Sequence, residues 1–192
     1  FAGQMLIGEM NKPRIIRVIT EKVGGKVQGA CLPFYDGNGL ATGNNRLTFD
    51  PSGKTLWVAH SAHGWAGSRG IQKITWNGKL PPELLSINLT PSGFFMNFTV
   101  SMDRNSVSNP DHFLTKIYTY KYHQGYGSPQ VSKETSKPAQ ITVSEDGKEI
   151  SLTYNKMTPR RVYEFNLSSL LTADGGKLVN SLVAYHAHNL RK

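Results

Sequence analysis

Short runs of alternating apolar and polar residues recur along the chain, broken every few positions by glycine, proline, asparagine or aspartate. A period of two puts every second side chain on one face of an extended strand, and no long segment carries the 3.6-residue period of an amphipathic helix. The pattern predicts strands over 5–8, 14–20 and 28–34, with Val23-Gly24-Gly25-Lys26 as a tight hairpin turn before the last. It predicts further strands over 47–50, 55–59 and 71–76, the first two joined by Pro51-Ser52-Gly53. Residues 55–59, Thr-Leu-Trp-Val-Ala, are β-branched and aromatic enough to predict burial on both faces. DGNGLATGNN at 36–45 and HSAHGWAGSRG at 60–70 read as glycine-rich loops.

After the proline-bearing junction Lys79-Leu80-Pro81-Pro82-Glu83 the pattern predicts strands over 84–89, 94–100, 113–123, 139–144, 149–154, 161–167 and 183–188. Residues 103–111 read as a polar turn with one short helical turn, and 124–138 as a long, polar, mobile loop. The fold class expected is all-β, in two parts. Residues 1–79 read as an incomplete β-propeller because a strand, Asp-Pro-x-Gly turn, strand, loop and closing strand make up one blade. Residues 80–192 read as an immunoglobulin- or fibronectin-like β-sandwich.

Composition narrows the classes. With 38% hydrophobic and 18% charged residues the chain is globular rather than disordered. The net charge of +9 comes from basic residues scattered singly, apart from Arg160-Arg161 and the Arg191-Lys192 end. Without a basic helix or an aromatic RNA-binding motif, that charge reads as a basic surface and not as a nucleic-acid site. The single cysteine excludes an internal disulfide, and Cys31 lies in the apolar run Gly-Ala-Cys-Leu-Pro-Phe, which predicts a buried, inert thiol. No run is long enough to span a membrane as a helix. The chain begins at Phe1 with no signal peptide, which leads us to expect a processed protein or part of a longer one.

Candidate chemistry is sparse. His60 and His63 flank Ser61-Ala62, with Trp65 and Arg69 nearby. One reading is a polar cup in which Trp65 stacks on a sugar while the histidines and Arg69 hydrogen-bond to it. The other is a glycine-rich loop whose tryptophan fills space between blades. A metal would need a third ligand that the segment lacks. Tyr118, Tyr120 and Tyr122 alternate onto one strand face, with His123 and Tyr126 beyond, as sheet-face packing or as a carbohydrate platform. His186 and His188 share a face; Asn88, Asn97 and Asn166 head glycosylation sequons that count only in a eukaryotic secretory pathway. No phosphate-binding glycine loop, nucleophile triad order or paired-carboxylate motif stands out.

Three segments, MLIGEMNKPRIIRVI, PFYDGNGLATGNNRLTFDPSGKTLWVA and GIQKITWNG, resemble the last blades of the glucose/sorbosone dehydrogenase family of quinoprotein β-propellers. They cover residues 1–78 nearly end to end, in the version found in large secreted proteins of environmental bacteria. MTPRRVYEFNLSSLLTADGGKL resembles the ending of the Ig-like domain that follows such propellers. The resemblance implies secretion, to the periplasm or cell surface, and a PQQ-dependent sugar-oxidising parent. Of the family's cofactor cations, Arg46 matches the first arginine. The second falls on Thr48, and the lysine falls on Asn11, with Lys12 one residue along. Arg46 and Lys12 are thus the cofactor-binding candidates, although Arg46 also reads as a loop-stabilising arginine. The histidine base and the calcium site would lie outside this chain, which alone is expected to have no turnover. The implied partners are the remaining blades, or another chain, packed against 1–79, together with a carbohydrate. The alternative is a non-catalytic propeller plus Ig-like module that binds glycan or protein in a cell-surface assembly.

Overall fold

The computed structural model describes residues 1–37, 39–64 and 67–192. It is all-β, 50% strand and 5% helix, with three antiparallel sheets among the described residues. The chain divides into two compact units: Phe1–Val18 with Leu32–Leu80, and Ile19–Cys31 with Pro81–Lys192. The second unit therefore takes in residues 19–31 as well as everything after residue 80.

Unit 1 is built from β1 (Met5–Gly8), the first half of β2 (Arg14–Val23), the second half of β3 (Lys26–Asp36), β4 (Asn44–Phe49), β5 (Thr55–His60) and β6 (Gly70–Thr75). β1, β2 and β3 lie side by side, and β4-β5-β6 form a separate meander. Ile15, Leu40, Leu56 and Val58 make the core, with Leu6, Phe34, Tyr35, Leu47 and Ile74 packed against it. Alternation explains this cluster, since each small sheet turns one set of alternate side chains toward the other. The turn between β4 and β5 is closed by Asp50, whose Oδ1 accepts the backbone N–H groups of Lys54 and Thr55 at 3.1 and 3.2 Å. Gly8 is required by packing, because a Cβ there would lie 2.1 Å from the Asn44 carbonyl oxygen.

The strand 55–59 departs from expectation. Its Leu56 and Val58 are buried, but Trp57 on the other face is 41% exposed, and Ile71, diagonally across from it on the same face of β6, is 69% exposed. Only one face of the strand is covered within unit 1.

Unit 2 holds two sheets. One has the order β11 (Gln140–Val143), β12 (Glu149–Thr153), β8 (Gly93–Phe98), β7 (Leu84–Thr90). The other places the inner parts of β2 and β3 beside β14 (Leu182–Ala187), followed by β13 (Arg161–Asn166), β9 (Thr115–Tyr120) and β10 (Gln130–Ser136). Between β8 and β9 lie a short helix, α1 (Arg104–Ser108), capped by the Asp103 side chain, and a 3-10 turn at Pro110–Phe113. Successive hairpins alternate between the sheets. The sheets meet at Phe94, whose ring lies edge-on 5.2 Å from each of Tyr163, Phe165 and Tyr185 and 6.2 Å from Tyr154. Such edge-to-face pairs each add about 0.5–1.5 kcal/mol beyond the area they bury.

Two polar devices fasten this unit. The Tyr163 hydroxyl accepts the Thr158 N–H at 2.7 Å and donates to the Thr158 carbonyl at 3.0 Å, tying the corner before β13 to a fully buried ring. Glu21 of β2 accepts the Leu89 N–H at 2.6 Å and the Tyr185 hydroxyl at 2.5 Å, while its other oxygen pairs with Arg191 at 2.6 Å. Gln28 of β3 donates to the Tyr185 oxygen at 2.9 Å and accepts the Asn189 N–H at 2.8 Å. The turn joining β2 to β3 needs positive φ at both Gly24 (54°) and Gly25 (78°), as a two-residue hairpin turn does.

Two expectations are corrected. Residues 130–136, expected within a loop, form the edge strand β10, paired with β9. Its side chains are nearly all exposed, so no apolar face marks it in the sequence. Cys31 is exposed and not buried, because Ala30 and Leu32 take the inward positions of β3. Partial burial nevertheless pushes its thiol up from the ordinary value.

Candidate functional site

In β4 a bulge between Asn44 and Arg46 sets the register so that Arg46 lies opposite Ala59 of β5, which in turn lies opposite Ile71 of β6. The next row is Thr48, Trp57 and Lys73. Arg46, Leu47, Thr48, Trp57, Ala59 and Ile71 line an open concavity of about 410 Å³. The Lys73 ammonium stands 5.8 Å from the centre of the Trp57 ring, a cation–π contact at the rim. The Arg46 guanidinium is engaged locally: Nη1 donates to the Asn45 carbonyl at 3.1 Å and to the Asn45 side-chain oxygen at 2.8 Å. Asn45 in turn donates to the Ser61 hydroxyl at 2.9 Å.

Lys12 is exposed in the loop between β1 and β2. That loop is fastened to the start of β4 by the Asn44 amide, which donates to the carbonyls of Glu9, Lys12 and Arg14 at 3.0, 3.2 and 3.3 Å. The fold thus brings the Lys12 backbone to a residue two positions before Arg46. A tricarboxylate quinone requires several converging cations. Thr48 supplies none, Arg46 is turned to Asn45, and of the two arginines of β2, Arg14 is paired with Asp36 at 2.6 Å and Arg17 is fully buried. Arg17 donates to Gln4 at 2.9 Å and lies 4.0 Å from the Phe1 ring centre. The residues present therefore do not by themselves fit pyrroloquinoline quinone.

The second candidate cluster separates. His60 is buried on the Leu56 and Val58 side of β5, the face opposite to Arg46 and Ala59. Neither of its ring nitrogens has a hydrogen-bond partner among the described residues, and the same holds for Asn44 Oδ1, on the residue directly across the ladder. His63 and Arg69 are exposed on the following loop, and Trp65 lies outside the described residues. His60 accordingly does not share an exposed cup with the other two. The loop after β5 is pressed against residues 42–44, with Ser61 N–H donating to Gly43 O at 3.0 Å and Ser68 N–H to Thr42 O at 3.2 Å. A Cβ on Gly67 would come within 2.1 Å of the Ser61 carbonyl oxygen.

The residues that the sequence did not single out are Trp57, Ile71 and Ala59, although alternation in TLWVA and IQKITW does put them on one side. No group of three or more histidine, cysteine, aspartate or glutamate residues is placed to hold a metal ion among the described residues. An apolar shelf with cations at its rim can bind a surface, and no pair of groups on it is arranged for proton or nucleophile chemistry. Comparison with protein-family models, with curated proteins and with solved structures finds no match to this chain.

Proposed function

We propose that unit 1 is a pair of blades from a β-propeller of the glucose/sorbosone dehydrogenase type, followed by an immunoglobulin-like module, and that its role is to dock and wall a site completed by further blades. The observation that carries this reading is the outward face of β4-β5-β6. Trp57 and Ile71 stand exposed there, while Met5 and Ile7 are exposed on β1. A propeller blade is covered on both faces by its neighbours, so apolar residues on both sides of a small sheet are what that architecture requires. For unit 2, the support is the strand order: four strands β11-β12-β8-β7 in one layer and β14-β13-β9-β10 in the other. That order, with a tyrosine near the start of β13 bonded back to the corner, matches the immunoglobulin pattern.

In this reading the complete protein is secreted, periplasmic or on the cell surface, oxidises a sugar with a quinone cofactor, and takes from this chain one wall and Arg46. The chain alone has no turnover. A second reading is favoured by the neutral Thr48 and by the engagement of Arg46 with Asn45. In it the propeller is non-catalytic and the whole is a glycan- or protein-binding module.

The docking face is tested with an environment-sensitive hydrophobic dye and sedimentation of the purified chain. Dye binding and concentration-dependent self-association are expected, both reduced at least several-fold by Trp57→Glu with Ile71→Glu. A monomer that binds no dye would overturn the blade assignment. Quinone titration of the complete protein in calcium, followed by dye-linked sugar oxidation, separates the readings: turnover with saturable quinone binding weakened in Arg46→Ala supports the first, and the absence of both supports the second.

A further inference from the structure

In unit 2, an aromatic and basic surface runs over the outward face of β14-β13-β9-β10 and the hairpin tip between β9 and β10. In register, Val162 of β13 is flanked by His186 on one side and Tyr118 on the other. Two residues along, Tyr120 faces Gln130 of β10. Arg160, two residues before Val162, comes to the level of Tyr120 and is anchored by its N–H to the Ala187 carbonyl at 2.7 Å. The Tyr118 and Tyr120 rings meet edge to face at 5.5 Å, and those of His186 and His188 at 6.1 Å. Tyr118 is held from beneath, its hydroxyl donating to Glu164 at 3.0 Å while Lys116 pairs with the same carboxylate at 3.3 Å. Tyr120 is left half exposed above it.

The tip continues this surface. Tyr122 and Tyr126 are fully exposed, and His123 lies against Gly125, where a Cβ would stand 3.2 Å from its Nδ1. Residues 121–129, Lys-Tyr-His-Gln-Gly-Tyr-Gly-Ser-Pro, contain no aliphatic branched side chain and no carboxylate. The two non-glycine residues with positive φ among the described residues both belong to this end: Arg160 at 57° and Ser132, in the β10 bulge, at 52°. Strained backbone and bulges of this kind re-aim side chains, and they persist where the surrounding structure holds them.

We propose that this face and its tip bind an acidic, uronate-bearing polysaccharide. Exposed tyrosines offer rigid, amphipathic rings that stack on the C–H face of a pyranose at little entropic cost and present hydroxyls to its rim. Lys121 and Arg160 are exposed at the same end, and a guanidinium pairs with a sugar carboxylate bidentately. The acidic residues along these strands are Glu164, engaged by Tyr118 and Lys116, and Glu134 on β10, so the end carries a net positive charge. A nucleic acid, with one charge per about 1.7 Å of duplex, calls for a denser run of cations. The proposal deepens the second of the two readings above and is independent of unit 1.

The test is titration of the whole 192-residue chain with oligogalacturonate, a sulfated glycosaminoglycan, a neutral β-glucan oligomer and single-stranded DNA, followed by calorimetry and tyrosine fluorescence. Saturable binding of oligogalacturonate is expected, weakened at least tenfold by Tyr122→Ala with Tyr126→Ala and severalfold by Arg160→Gln or added salt. Equal binding of the sulfated chain supports the acidic-glycan site without the carboxylate preference. Trp57→Glu should leave the affinity unchanged, which separates this outcome from failure of the blade assignment. Absent oligogalacturonate binding, indifference to the tip substitutions, or tighter binding of the neutral glucan or of DNA would each overturn the proposal. The tip is wholly exposed, and retained far-ultraviolet circular dichroism checks that those variants fold.

Discussion

Replacing Tyr163 by phenylalanine deletes one oxygen from the middle of unit 2 and leaves the ring where it is. The ring is fully buried and packs edge-on against Phe94, so the apolar contribution is unchanged by the substitution. What is lost is a pair of hydrogen bonds, from the Thr158 N–H at 2.7 Å and to the Thr158 carbonyl at 3.0 Å. An intramolecular hydrogen bond contributes about 0.5–1.5 kcal/mol net, and a buried polar group left without its partner costs about 1–3 kcal/mol. Thr158 is only half-buried, so water recovers part of its bonding. The expected loss is therefore about 1–3 kcal/mol, or roughly 4–12 °C in the melting temperature of a unit this size. Because the chain has two units, the measurement should be local. Urea-dependent hydrogen exchange at residues of β13 and β14, which carry the corner, reports on unit 2 alone. Tyr120→Phe, on the exposed end of β9, is the matched control and should stay within about 0.5 kcal/mol of wild type. If Tyr163→Phe falls in the same narrow range as the control, the corner is not held by this hydroxyl and the argument fails.

Two further outcomes follow from the same structure. Gly93→Ala should destabilise unit 2 by about 1–3 kcal/mol or more, since the new Cβ would stand 1.9 Å from the Leu152 carbonyl oxygen across the β8–β12 ladder; an unfolding midpoint equal to wild type would refute the close approach. Asp146 and Asp174 close turns with carboxylates held below the ordinary range, Asp146 by the Ser144 hydroxyl and then the Lys148 N–H, Asp174 by the Thr172 hydroxyl and then the Gly176 N–H. A carboxylate whose value is lowered on folding stabilises the folded state above its unfolded value, and that contribution disappears as pH falls through the lowered one. Resistance to urea should accordingly be flat above about pH 5 and decline below about pH 4. The decline should be shallower in the double variant Asp146→Asn, Asp174→Asn, and an identical pH profile would dissociate these turns from acid stability.

The strand-and-turn grammar of this protein was legible in its residues. Alternation marked the strands, and Gly24-Gly25 and Pro51-Ser52-Gly53 marked turns. These features are local: a period of two and the φ preferences of glycine and proline act within a few residues of one another. Strand β10 escaped because an exposed edge strand is held by main-chain bonds to β9 and needs no apolar face. The corner between Thr158 and Tyr163 spans only a few residues in Thr-Pro-Arg-Arg-Val-Tyr and could have been read from that spacing.

Tertiary structure alone decided which of two alternating faces meets a core. It turned His60 inward and Trp57 outward on one six-residue strand, put Cys31 at the surface beside buried Ala30 and Leu32, and gave residues 19–31 to the second unit through Glu21 and Gln28. A period-two pattern states that successive side chains point to opposite sides. Which side is covered depends on the sheet that arrives from elsewhere in the chain.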